Sequence, residues 1–405
     1  MGVSNIEDMQ LSLHKTTKQS LLSLSFDLGG IFAGLLIFTF IDLLSTEPWM
    51  IALYPGILSM SGVIGGFLSG RLTTALHLGM IEVKGFGEKN SGLLSLWGST
   101  AVIALLSSLF LGLVTSLFGL ILWQITSLDW LVIFGTVIAT MGLSLLLISP
   151  ITIAIAFLAF RRGLDPDIIV YPIISTIADI LVTLCYVSVL TITFPTSISS
   201  SLAILAICVA FVCTVLIALH RNWDAPDFKR TVKETFYTLI IVAIIVNLTG
   251  VILSRLQHLI GRRTGIYVVY PALINTIGDV GAIVGSTATT KLALGTLETK
   301  LRALKDHSNQ IFGAWGASSI VFLVLAIIST LYESVGTLPF LRNAFLFLIT
   351  NIFSVIVMVY VAFSIAVLTF RRGLNPDNFV IPIESSLADT ITTLFLFLIV
   401  SLTGL

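Results

Sequence analysis

The stretch RRGLDPDIIVYPIISTIAD (161–179) recurs as RRGLNPDNFVIPIESSLAD (371–389), and the two agree at 12 of 19 positions. A second stretch, YPGILSMSGVIGGFLSGRLTTALHLGMIE (54–82), recurs as YPALINTIGDVGAIVGSTATTKLALGTLE (270–298), agreeing at 10 of 29. The two pairs keep their order, at offsets of 210 and 216 residues. Chance does not preserve order and spacing together, so the chain carries an internal duplication.

The solvent of the duplicated unit follows from composition. Of 405 residues, 56% are hydrophobic and only 10% charged, with a mean hydropathy of +1.06. A soluble domain carries about a quarter charged residues, so lipid is the medium that suits this chain. A formal net charge of zero gives no sign of nucleic acid or of an acidic partner. Cys185, Cys208 and Cys213 lie inside apolar runs, without ligand spacing or a disulfide framework. Residues 1–20 are polar or weakly amphipathic, lack the layout of a cleavable signal, and are expected to form a short cytoplasmic tail. No stretch is long and polar enough for a soluble domain of ~50 residues.

A spanning helix needs ~20 mostly apolar residues. Runs that meet this rule lie near 21–44, 49–80, 92–125, 129–160, 166–193, 197–219, 231–254, 266–296, 311–333, 338–370 and 376–404. With the N-terminus inside, seventeen Lys and Arg fall in inner segments and four (Arg255, Arg262, Arg263 and Arg342) in outer ones. Basic residues collect on the cytoplasmic side, so the N-terminus is expected inside and the C-terminus outside.

Five spans per copy is an odd number, so two copies joined directly would insert with opposite orientations. The extra span at 197–219 restores a common one. The expected fold class is therefore an all-α polytopic membrane protein with two parallel five-helix repeats, related by a pseudo-twofold axis along the membrane normal. Its parts are the tail (1–20), repeat one (21–193), a peripheral linker helix with a cytoplasmic loop (194–227), and repeat two (228–405).

Much of the first duplicated motif needs only a structural explanation. Gly163 and Gly373 suit a helix C-terminus. Asp165 and Asn375 read as N-caps ahead of Pro166 and Pro376, and Asp167 and Asp377 meet a positive helix end. Asp179 and Asp389 are different. Each lies 14 residues past its cap, ~20 Å into the membrane at 1.5 Å per residue. A charge near mid-bilayer costs roughly 2.5–3.5 kcal/mol on insertion scales, yet both copies keep one. Ser175 and Thr183 share the helical face of Asp179, as Ser385 and Thr393 share that of Asp389. Pro172 and Pro382 can free a backbone carbonyl toward the same cavity. The plain alternative is a buried acid hydrogen-bonded to a partner helix. No Lys or Arg lies at matching depth along the spans to favour it, and a cation site between the copies is expected.

In the second motif Gly62, Gly65, Gly66 and Gly70, and Gly278, Gly281 and Gly285, admit close backbone approach or a broken helix. Asp279 lies near mid-membrane with Asn275 one turn before it, where the first copy has Val63 and Ser59. Asp279 is expected as a further ligand, an interhelical hydrogen bond being its alternative, and the site should be asymmetric. Glu384, matched by Ile174, lies about 140° round the helix from Asp389; at most it would support the ligands from behind or assist an approaching ion. Asp27, near the start of helix 1, is read as interfacial.

PALINTIGDVGAIVGSTATTKLALG followed by GLNPDNFVIPIESSLAD resembles the paired motifs of the MgtE magnesium channels and of solute carrier family 41. The resemblance covers nearly the whole chain, each half looking like one MgtE membrane domain. MgtE channels are homodimers with the pore between protomers, and the present chain is similar to the fused form found in solute carrier family 41. The resemblance implies that Asp179 and Asp389 are the pore aspartates and that Asp279 stands where the families usually have Asn. Val63 departs from their Gly-Asn pattern, so coordination need not be twofold symmetric. With no sensor domain or CBS pair expected, the cytoplasmic magnesium gate of MgtE channels would not operate.

The expected activity is transport of a divalent cation across the cell membrane, Mg2+ first and Mn2+ or Co2+ next, by a chain that is not an enzyme. Asp179, Asp389, Asp279, Asn275, Ser175 and Ser385 are the expected ligands, along helices 2 and 5 of each copy. Oxygen ligands suit Mg2+ and disfavour zinc and copper. The expected partners are the transported ion and lipid, with one fused chain acting as a monomer. Coupled exchange against Na+ or H+ is the alternative in the same class. An intramembrane aspartyl protease is remote: Thr276 stands where its Gly-x-Gly-Asp element needs glycine, and Pro271-Ala272-Leu273 precedes Asp279 instead of following it. An organic-solute transporter lacks paired basic or aromatic groups at mid-membrane.

Overall fold

The computed structural model describes residues 16–18, 20–22, 24–77, 81, 91–162, 166–194, 197–224, 226–260, 264–293, 295–333, 336–373 and 377–403. They form eleven principal helices: α1 (Gly30–Thr39, entered through a 3-10 turn at Ser25–Gly29), α2 (Pro48–His77), α3 (Ser91–Leu122), α4 (Ser127–Arg161), α5 (Pro166–Thr193), α6 (Ile198–Asn222), α7 (Pro226–Ile260), α8 (Thr264–Ala293), α9 (Ser308–Glu333), α10 (Thr337–Arg371) and α11 (Asp377–Thr403). Among the described residues eleven helical segments are long and apolar enough to cross a membrane, in agreement with the eleven apolar runs. In hydrocarbon every backbone N–H and C=O must be paired within the segment, and an α-helix does this unaided. Pro55 and Pro271 lie inside α2 and α8 at the same place in the repeat.

Helix ends follow the corner chemistry where they are described. Thr126 and Asp129 form a capping box on α4, the Thr126 amide donating to the Asp129 carboxylate at 2.6 Å. Gly373 turns the chain out of α10 with φ 69°, a conformation that favours glycine, and its amide donates to the Phe370 carbonyl at 3.0 Å. Gly163, Asp165, Asn375 and Pro376, and the side chains of Val63, Asp167, Pro172, Asp377 and Pro382, lie outside the described residues.

The chain divides into two compact units, one of residues 39–250 and the other of 1–38 with 251–405. In the first, α2 packs against α3, α4 and α5; we call it the α2 unit. In the second, α8 packs against α9, α10 and α11; this is the α8 unit. The helix α6 lies on α3, α4 and α5 and leaves Leu202, Leu205, Val209, Leu216 and Ile217 exposed.

The first helix of each sequence copy is packed with the remaining helices of the other copy. α1 falls in the α8 unit, and most of α7 in the α2 unit. Two glycines make this possible. A Cβ on Gly34 would overlap the Val268 carbonyl oxygen of α8, and a Cβ on Gly250 would overlap the Ala52 carbonyl oxygen of α2. Gly34 and Gly250 are 216 residues apart, as are Ala52 and Val268, so the same contact is made twice. One turn away, Gly30 lies against the Ala272 backbone and Gly56 against Val246, which fixes both pairs as antiparallel. Small residues allow such approach, and packing then replaces the hydrophobic drive that lipid removes.

A methyl at either contact meets backbone with no flexible end to give way, and overpacking costs roughly 1–3 kcal/mol. Gly34→Ala and Gly250→Ala should each lower the melting temperature of the purified protein in detergent. Gly316→Ala, where a Cβ would meet nothing within 4 Å, should leave it unchanged. Equal melting of all three would contradict the close approach.

Candidate cation site

Asp179 on α5 and Asp389 on α11 are both buried, each 5% exposed. The residue one turn after each is a threonine whose hydroxyl donates to the aspartate's own backbone carbonyl: Thr183 to Asp179 at 2.6 Å and Thr393 to Asp389 at 2.6 Å. A tyrosine reaches the same hydroxyl from the neighbouring helix, Tyr54 of α2 at 3.2 Å from Thr183 and Tyr270 of α8 at 2.8 Å from Thr393. A threonine hydroxyl has one proton. That proton goes to the carbonyl, so the tyrosine O–H is the donor in both bonds. The chain tyrosine to threonine to aspartate carbonyl therefore fixes the helical turn that carries each acid, once in each unit.

The sequence contained both members of this clamp, the tyrosine opening the second motif and the threonine one turn past the end of the first, but not their meeting. In the α2 unit the clamp is braced further. Tyr54 stacks on Tyr186 with ring centroids 6.3 Å apart, and the Tyr186 hydroxyl donates to the Met50 carbonyl. The matching position in the α8 unit is Leu396.

The remaining expected ligands are half-buried: Ser175 on α5, Ser385 on α11, and Asn275 and Asp279 on α8. Asp279 is in side-chain hydrogen-bond contact with Asp27. The reading of Asp27 as interfacial is corrected here, since the residue is 4% exposed. Gly30 and Gly34 lay α1 antiparallel along the first half of α8, and the 3-10 turn ahead of α1 then drops Asp27 beside Asp279. The glycine pair at the repeat offset was the sequence signal for this meeting. The α2 unit has Val63 and Ala243 at the matching positions, so the acid pair belongs to one unit alone. Among the described residues no three His, Cys, Asp or Glu side chains converge as a fully dehydrated metal would require.

The family model of MgtE, a divalent cation transporter, matches residues 54–189 and, a second time, residues 270–399. The chain belongs to the MgtE family. Each match opens on a clamp tyrosine and runs past the aspartate it steadies. This MgtE-family chain is similar to solute carrier family 41 member 3 of Mus musculus, 23% identical over 371 residues covering 86% of the chain and 74% of the relative. It is equally similar to the Rattus norvegicus protein of that name, 23% over 372 residues, covering 86% and 78%. No solved structure matches it. Family membership and eleven apolar helices make the chain a multi-pass membrane transporter of divalent cations.

A neutral hydrogen bond contributes roughly 0.5–1.5 kcal/mol. Tyr270→Phe and Thr393→Val should each destabilise the purified protein by about that much. The double variant should fall short of the sum, because both remove one bond. Additive losses would place the two residues outside a common interaction.

Proposed function

We propose that this MgtE-family chain carries Mg2+ across the cell membrane, with Asp179 and Asp389 as the acids that hold the ion. The observation that carries the reading is the duplicated buried aspartate, lying inside each of the two family matches and steadied in each by the same tyrosine and threonine. A buried carboxylate in a spanning helix is costly, and transport gives a reason to keep two. Ser175, Ser385, Asn275 and Asp279 supply further oxygens. Mg2+ demands octahedral oxygen ligands and sheds water reluctantly, so few carboxylates with hydroxyl and amide oxygens suit an ion held partly through its own waters. Few acids also means binding weak enough for release. Mn2+ and Co2+ are the next candidates by the same oxygen chemistry. The N-terminus lies in the cytoplasm and the C-terminus outside, following the distribution of Lys and Arg. One chain suffices, since it contains both copies.

Proteoliposomes loaded with a Mg2+ indicator test the assignment. Asp179→Asn and Asp389→Asn should each lower Mg2+ flux at least ~10-fold, the loss of about 1.4 kcal/mol of ion stabilisation. Undiminished flux in both variants would overturn the site. Repeating the assay with imposed Na+ and pH gradients reads coupling: flux driven by Mg2+ alone marks a channel.

A further inference from the structure

His307 closes the 3-10 turn Leu301–His307, which lies between α8 and α9, and it is fully buried. Two helices hold its ring. Nδ1 lies 3.2 Å from Lys291 Nζ of α8, while Nε2 lies 2.9 Å from the Thr287 hydroxyl and 3.2 Å from the Val284 carbonyl oxygen. The ring packs on Phe363 of α10 with centroids 6.0 Å apart, and Lys291 also donates to Gln310 Oε1 of α9 at 3.1 Å. The rest of the connection is tied to the same end of the unit. The Thr296 and Leu297 amides donate to the Lys291 carbonyl at 2.9 and 3.2 Å, and Arg371 Nε of α10 donates to the Thr299 carbonyl. Leu297 and Ala303 join a buried apolar cluster with Ala288 and Phe363.

These bonds place the proton on the ring. An ammonium group only donates, so Nδ1 accepts from Lys291 and carries no hydrogen. The Thr287 hydroxyl gives its own proton to the Ile283 carbonyl, so the Nε2 hydrogen is donated to the Thr287 oxygen and the Val284 carbonyl. The ring is therefore neutral in this seat. A second proton, on Nδ1, would set two donors and two positive charges 3.2 Å apart in a buried place. Round the ring α8 presents Lys291, α9 the neutral Gln310, and α10 Phe363 with the exposed Arg371 beyond it. Arg302, Lys305 and Asp306 of the turn itself are exposed, and Asp306 acts on Lys291. Burial first and Lys291 second push the His307 pKa down to about 4. At the 216-residue offset the first copy has Arg71, Ala75 and Ser91 in place of Thr287, Lys291 and His307.

We propose that residues 295–307 form an acid-released strap across the C-terminal end of α8, with His307 as its latch. A released ring takes its proton at the ordinary histidine value of about 6.5, whereas the held ring resists until about 4. The latch is therefore at full strength above pH ~6.5 and is lost as the pH falls toward ~4. With the orientation proposed above, the strap faces the cytoplasm and responds to acid there. It fastens the helix that carries Asn275 and Asp279, so release frees the end of that helix. The latch residues themselves take no part in the Mg2+ assignment.

Hydrogen exchange of the purified full-length chain in detergent tests the latch, with rates corrected for the intrinsic pH dependence of amide exchange. Between pH 7.5 and 5.5 the open fraction of the 295–307 amides should rise about 10-fold, as expected for a ring titrating near 6.5 when free and near 4 when held. Amides of residues 321–326 in the middle of α9 should show no such rise. His307→Gln, whose side-chain amide can donate from the place of Nε2, should keep the strap closed with no dependence on pH. His307→Ala should leave it open at both values. A pH-independent strap in wild type, or the 10-fold rise persisting in either variant, would overturn the proposal.

Discussion

Hydrocarbon offers no partner to a polar group, and the architecture of this chain is the answer to that constraint. Backbone groups are paired within helices because nothing else can pair them. Interior hydroxyls turn back on their own helix, as Ser107 does to Ile103 and Thr152 to Ile148. Amides pair between helices, as Asn351 with Ser318 and Thr115 with Asn247; each such bond contributes about 0.6 kcal/mol in a membrane protein. Against this background a buried acid stands out. Asp179 and Asp389 sit on two clamped helical turns, and the oxygens of Glu384 have no hydrogen-bond partner among the described residues.

The same constraint explains why the two copies differ in chemistry while agreeing in framework. The glycine contacts, the proline in the second helix and the tyrosine–threonine clamp are made in both units, since these determine whether helices pack. The acids Asp27, Asp279 and Glu384 are confined to the α8 unit, opposite Ala243, Val63 and Ile174 in the α2 unit. Among the described residues the α8 unit thus carries acids at three positions where the α2 unit has none.

Much of this was legible in the sequence, for identifiable reasons. Eleven spans could be read because length and apolarity are local properties of a segment. Asp179 and Asp389 could be found because a charge deep in an apolar run, kept twice, needs no neighbours to be noticed. Gly373 as a helix terminator could be read from the corner motif. The clamp escaped, because Tyr54 and Thr183 are 129 residues apart and meet only through packing. Asp27 was misplaced for the same reason. Its position near the end of a span suggested the interface, whereas Gly30 and Gly34 let α1 press on α8 and carry the acid inward. The contact of Glu384 with Gly281 escaped too, because a helical wheel centred on Asp389 turns Glu384 away, and the glycine it faces is on another helix.

The placement of α1 and α7 also governs when the protein can become whole. A ribosome delivers α1 long before α8 exists, so that helix must wait in the membrane for more than two hundred residues before its glycines find their seat. The α2 unit in turn stays incomplete until synthesis passes the linker and reaches Gly250. Neither copy can finish without a piece of the other, so a chain cut at the linker yields two unfinished bundles. The linker span does more than join two halves: it keeps each helix within reach of the one partner that completes it. Two such units on separate chains would have to trade their first helices across a subunit boundary, and fusion turns that exchange between molecules into a step within one.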